Sequence, residues 1–178
     1  MLPQTRAAAL VYLGWAMGQA NDALAGIQRV DQGVTKFNQL GIRTNLCLMM
    51  CLSAETYFKA KQYDQALERA NLAIATSSEI GDRWCLPRIH AVRAHLHHTF
   101  RAIEKAEASL LAAIEIATEQ SAKGSQLQVA IHLARLWRDQ GKVQQARELL
   151  APVYGWFTEG FDTLDLKEAM ALLDELAS

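Results

Sequence analysis

A chain of 178 residues with a formal net charge of −1 carries too little charge for broad attraction to nucleic acid or an anionic membrane surface. Hydrophobic residues make up 51% of it and prolines number only three, which excludes a disordered polymer and leaves enough apolar surface for one ordinary core or about four to five helical hairpins. Three cysteines in no framework spacing exclude a disulfide scaffold and point to a reducing compartment.

Nothing near Met1-Leu2-Pro3 reads as a secretory leader, and the longest apolar run, Leu46 to Leu52, is too short to span a bilayer. The expectation is a cytoplasmic segment cut from a larger protein, because the helical pattern starts so abruptly. From about Gln4 to Gly41 the first unit carries Gly14, Gly26 and Gly33. Forty residues on, Ala54, Ala66 and Ala73 stand in the same places; Ala94, Ala106 and Ala113 follow, then Ala134, Ala146 and Val153. Small residues returning in three columns at one period mark stacked helices that approach closely. The first unit has glycine where the others have alanine, so it is expected to be the loosest.

The second unit, about 43–81, divides into a first helix from Arg43 to Lys61 and a second from Tyr63 to Ile80. Gly41 and Gly81 fall where a left-handed helix end favours glycine. The third unit, about 86–123, has Pro87 in its opening turn, where a missing N–H costs nothing. The fourth runs over about 125–160, punctuated by Gly124 and Gly141. Asp174 then breaks the small-residue column, so the tail over about 164–177 reads as a separate capping helix. Leu164 and Asp165-Leu166-Lys167-Glu168 resemble a staple and capping box, and Leu166, Met170, Leu173 and Leu176 give that helix one apolar face.

The columns resemble the tetratricopeptide family. Its small residue at repeat position 8 corresponds to Gly14, Ala54, Ala94 and Ala134, and its bulky position 11 to Met17, Tyr57, His97 and Trp137. The period of forty exceeds the family's usual length of about thirty-four, and longer helices account for the excess. The resemblance implies an all-α, right-handed solenoid of four helical hairpins and a capping helix. A narrower resemblance covers Ala134 to Lys142 and Ala146 to Thr163, which look like the C-terminal end of bacterial signalling proteins. Those proteins join a cyclase or winged-helix domain to a regulatory ATPase and a tetratricopeptide array. It implies a C-terminal sensor or scaffold segment, with no cyclase or ATPase motif inside it.

The family lines its concave groove with first-helix positions 2, 5, 9, 12 and 13. Carried over, they give Trp15, then Leu48, Cys51, Glu55, Phe58 and Lys59, then Arg88, Ala91, His95, His98 and Thr99, and last Gln128, Ile131, Arg135, Arg138 and Asp139. The resemblance thus implies a groove that is apolar and aromatic at its N-terminal half and basic at the other. Its expected occupant is an acidic peptide or helix with an apolar anchor. Arg135 and Arg138 could instead pair with Asp139 and Glu148.

Other clusters carry bland readings. His90, His95, His97 and His98 lie near Cys85, but no second ligand pair accompanies them, so no metal site is expected. Cys47 and Cys51, four apart, read as core. Trp156, Phe157 and Phe161 read as a buried knot beneath the last helix. There is no phosphate-binding glycine loop and no nucleophile elbow. The expected function is therefore non-enzymatic, cofactor-free protein–protein interaction, with no direct role for nucleic acid or membrane. Homo-oligomerisation through the first unit is the alternative. A small-molecule sensor with a pocket near Trp15 and Phe58 is the third reading.

Overall fold

The computed structural model describes residues 2–177. Among them are nine helices and no strand: α1 Pro3–Gln19, α2 Ala23–Gln39, α3 Leu46–Lys59, α4 Tyr63–Ile80, α5 Leu86–Thr99, α6 Ile103–Glu119, α7 Lys123–Asp139, α8 Val143–Tyr154 and α9 Leu164–Glu175. The chain is an all-α helical repeat. Each odd-numbered helix up to α7 packs on the helix that follows it and on its odd-numbered neighbour.

The period has a local cause. A residue with left-handed φ stands every twenty positions: Asn21, Gly41, Lys61, Gly81, Arg101, Ser121 and Gly141. Each closes a helix and reverses the chain. In the turns within hairpins, the amides of Asp22, Gln62, Ala102 and Lys142 reach back 2.8–3.0 Å to the carbonyls of Met17, Tyr57, His97 and Trp137. The bulky column therefore also supplies the carbonyl that caps its own helix. Helix α3 begins at Leu46, not Arg43, because Asn45 takes a left-handed φ of 60° just before it.

The glycines and alanines of the small columns are buried at the helix–helix seams, and Val153 is half-buried. The glycine hairpin, expected to be the loosest, is closely seamed. A Cβ on Gly14 would lie 2.5 Å from the Gly26 carbonyl oxygen and 2.8 Å from the Val30 nitrogen, and one on Gly26 would strike the Gly14 carbonyl in return. Backbone meets backbone there, so even alanine is too large.

Helix α9 also differs from expectation. No side-chain capping bond forms at its start. Leu166, Ala169, Leu172 and Leu176 are the residues that bury, against Leu127, Ala130, Ile131 and Leu150 of the last hairpin. Met170 is 54% exposed, so the apolar face is rotated from the one anticipated. Trp156 and Phe161 are also largely exposed, at 57% and 47%, and the expected buried knot does not form. Instead Trp156 packs edge-on to the half-buried Phe157, their centroids 5.2 Å apart, and Phe161 sits 5.9 Å from Tyr154. The polar edge of the indole and the single pass of this loop let the rings cover each other without sinking into the stack.

Candidate functional site: the first-helix groove

Helices α1, α3, α5, α7 and α9 place one face each along a common groove. Its centre is a cavity of about 660 Å³ lined by Trp15, Glu55, Phe58, Lys59, Arg88, His95, His132, Asp165 and Glu168, among others. A smaller hollow of about 270 Å³ continues it past His98, Arg135 and Asp139. Six residues taken from the repeat columns, Trp15, Glu55, Phe58, Lys59, Arg88 and His95, thus surround one space. His98 and Arg135 line its extension, and Arg138 sits beyond, on the α7–α9 flank.

Glu55 organises the N-terminal half. Arg88 donates to it twice, Nε to Oε1 at 2.6 Å and Nη2 to Oε2 at 2.8 Å, and the Trp15 indole donates to Oε2 at 2.6 Å. The Arg88 guanidinium lies 5.7 Å from the Trp15 ring centroid, so charge, hydrogen bond and ring face form one cluster. The forty-residue step explains it: Trp15 and Glu55 occupy the same column in successive repeats. Phe58 lies 6.4 Å from His95, and His95 sits edge-on to His132 with centroids 4.5 Å apart. Burial, reinforced by His95 and Arg135, holds His132 down at about 4, and the surrounding walls also push His95 down. Both imidazoles are neutral near pH 7, so they offer one donor and one acceptor each rather than charge.

The C-terminal half is not a free basic surface. Arg135 pairs with Glu168 at 3.0 Å, Arg138 pairs with Glu175 at 2.5 Å and with Asp139 at 3.0 Å, and Gln128 donates to Asp165 at 2.8 Å. Glu148 pairs with neither arginine; it accepts from Gln144, one turn earlier on α8. Helix α9 supplies the neutralising carboxylates. Glu168 and Glu175 stand forty residues after Gln128 and Arg135, so α9 occupies the place of a fifth first helix. That signal was present in the sequence, but Asp174 in the small-residue column hid it. His132, Asp165 and Glu168 are among the groove residues that column reasoning missed.

Among the described residues no three His, Cys, Asp or Glu side chains group as metal ligands. His90 is buried and receives Arg93 Nη2 at 3.1 Å on Nδ1, turned away from His95 and His98 in the groove. No described helix is long and apolar enough to cross a membrane.

No family model matches the chain. An uncharacterized protein of Rhizobium meliloti (strain 1021) is 31% identical over 116 residues, 64% of this chain but 11% of that protein. The chain therefore spans about a tenth of the length of this curated relative. Among solved structures, a putative kinesin light chain from Podosopora anserina with TPR-like repeats matches 99% of this chain and 87% of its own, at 18% identity and a TM-score of 0.78. A Rap protein complexed with Competence and Sporulation Factor matches 99% of this chain and 55% of its own, at 13% identity and a TM-score of 0.79. A signal transduction ATPase with a tetratricopeptide repeat sensor, from Pyrococcus horikoshii, matches 99% and 28%, at 12% identity and a TM-score of 0.79. Identities this low speak for the fold, and by fold the chain is a tetratricopeptide-type helical repeat.

Proposed function

We propose that this chain is a non-enzymatic interaction module that seats a segment of a protein partner in the first-helix groove. The observation that carries the reading is the cavity itself. Five helices converge on it, and on its walls Arg88 and Glu55 pair with each other and Glu168 pairs with Arg135, while the aromatic and imidazole floor is neutral. Such a floor suits an apolar anchor flanked by backbone groups, which His95 and His132 can meet as donor or acceptor. An acidic partner enters the C-terminal half only by competing with Glu168 and Glu175 for Arg135 and Arg138. The tetratricopeptide repeat sensor of the signal transduction ATPase, and the Rap protein held with its factor, support a place as the sensing segment of a longer bacterial signalling protein. Self-association of this segment is the competing outcome.

A second reading rests on the cavity's size, since about 300–1,000 Å³ is the usual range for small-molecule pockets. A displayed random-peptide library separates the two. Selected peptides should lose at least about tenfold in affinity on Phe58→Ala or His132→Ala, in keeping with truncating a central anchor. Peptides that bind both variants as well as the parent chain would place the working surface elsewhere. Failure to select any peptide, with a small-molecule thermal-shift hit that is lost in Phe58→Ala, would favour the sensor. A concentration-dependent mass by light scattering that Phe58→Ala leaves unchanged would favour self-association through the first unit.

A further inference from the structure

Cys47 and Cys85 come from different repeats and meet in a closed seam. Cys47 lies in the first turn of α3 and Cys85 at the N-cap of α5, and both are buried, at 0% and 2% exposure. Their sulfurs are 2.7 Å apart, against about 2.05 Å in a disulfide bond. Both thiols are free. The Asp82 carbonyl and carboxylate each sit 3.5 Å from the Cys47 sulfur, and Ser77 Oγ donates to the same Asp82 carbonyl at 2.5 Å. The loop that carries Cys85 is therefore fastened in place beside Cys47. Cys51, one turn along α3, faces Glu55 instead, at 3.8 Å. The sequence reading of Cys47 and Cys51 as core side chains agrees with their burial, and the fold brings Cys47 against Cys85.

We propose that Cys47 and Cys85 are a latent disulfide that staples the second repeat to the third when the chain meets an oxidising small-molecule disulfide such as glutathione disulfide. In the first step one thiol loses its proton, attacks a glutathione sulfur and releases glutathione thiolate, which takes up the proton. In the second the other thiol, likewise deprotonated, attacks the protein-bound sulfur of the mixed disulfide and releases the second glutathione. Two protein thiols are oxidised and one glutathione disulfide is reduced to two thiols. The contact with Cys85, then burial and the nearby Asp82 carboxylate, push the Cys47 thiol up, so the pair reacts slowly and stays reduced in a reducing compartment. The seam must open transiently to admit glutathione disulfide, but the final closure between the two sulfurs needs little movement, and a bond between positions 38 residues apart removes considerable freedom from the unfolded chain.

The test uses the whole chain, incubated with glutathione disulfide or with a reductant, then unfolded in excess alkylating reagent and weighed intact. The reduced chain should carry three alkyl groups, one for each cysteine, and the oxidised chain one. Oxidised Cys51→Ser should carry none, and peptide mapping should join residues 47 and 85. The oxidised chain should also melt higher, by roughly 10 °C. Three alkyl groups after oxidation, a mapped bond that includes Cys51, or a bond formed with no rise in melting temperature would each overturn the proposal. All three readings come from the parent chain, so an unfolded variant cannot obscure them.

Discussion

The two ends of this stack are held by different physics. At the N-terminal end, α1 and α2 approach until backbone touches backbone, and glycine is required at Gly14 and Gly26. At the C-terminal end, α9 docks with a modest apolar strip and a row of carboxylates set against Arg135, Arg138 and Gln128. The first end is closed by backbone shape, the second by an apolar strip rimmed with ion pairs. The difference teaches that one repeat period can be satisfied by steric fit or by pairing, and that the two should fail under different insults.

Steric failure is the larger. Gly26→Val should destabilise the first hairpin by roughly 4 kcal/mol, since the new side chain enters the Gly14 carbonyl and cannot be relieved by a rotamer change. Placing alanine there gains helix propensity of about 1 kcal/mol, and should still lose on balance. The reverse change in the next repeat, Ala66→Gly, removes a buried methyl and should cost only about 1–2 kcal/mol. Chemical denaturation of the three variants checks the ranking. A Gly26→Val chain as stable as its parent would mean that α1 and α2 can slide apart at no cost.

Acid should act on the other part of the molecule. All five histidines lie between His90 and His132, and residues 1–89 contain none. Burial, with Arg93 nearby, holds His90 at about 4 in the folded chain, whereas an unfolded histidine titrates near 6.5. Between those values the unfolded state binds the extra proton, so stability rises with pH across this window and falls as pH drops from 6.5 to 4. His90 accounts for roughly 3 kcal/mol of that loss, and His132 shifts in the same direction. Hydrogen exchange should show α5 and α7 losing protection over this range while the α1–α2 hairpin keeps it. Uniform loss along the chain would deny the contrast between the first hairpin and the histidine-bearing helices.

How much of this was legible follows from the same contrast. The small columns report shape directly, because only a small side chain fits a close seam, and they gave the hairpins and most of the groove. The left-handed turns at Lys61, Arg101 and Ser121 were invisible, since long or polar residues do not signal positive φ as Gly41 and Gly81 do. The paired state of the arginines was hidden for another reason. A column shows which side chains share a face, and it showed Asp139 beside Arg138, but the other carboxylates that neutralise the arginines come from a helix whose register only Glu168 and Glu175 betray. The exposure of Trp156 and Phe161 could not be read from hydrophobicity, which says what burial would gain and not whether the chain path permits it.

The smallest effect tests whether charge pairing is equivalent at both places where it occurs. Arg88–Glu55 and Arg135–Glu168 each join residues 33 apart in the same column relation, with the signs exchanged. The first pair is bidentate, and the Glu55 side chain is 17% exposed. The second is a single contact with both side chains near 40% exposed. Double-mutant cycles to alanine should therefore give a coupling of about 1–2 kcal/mol for Arg88 and Glu55, and about 0.5 kcal/mol for Arg135 and Glu168, the latter falling further in molar salt. Exchanging the second pair as Arg135→Glu with Glu168→Arg should restore most of what either single change loses. The same exchange at Arg88 and Glu55 should not, because the Trp15 indole would be left donating toward a guanidinium that cannot accept. Equal recovery at both sites would show that Trp15 contributes nothing to the N-terminal pair, and that the groove's two halves differ in sequence alone.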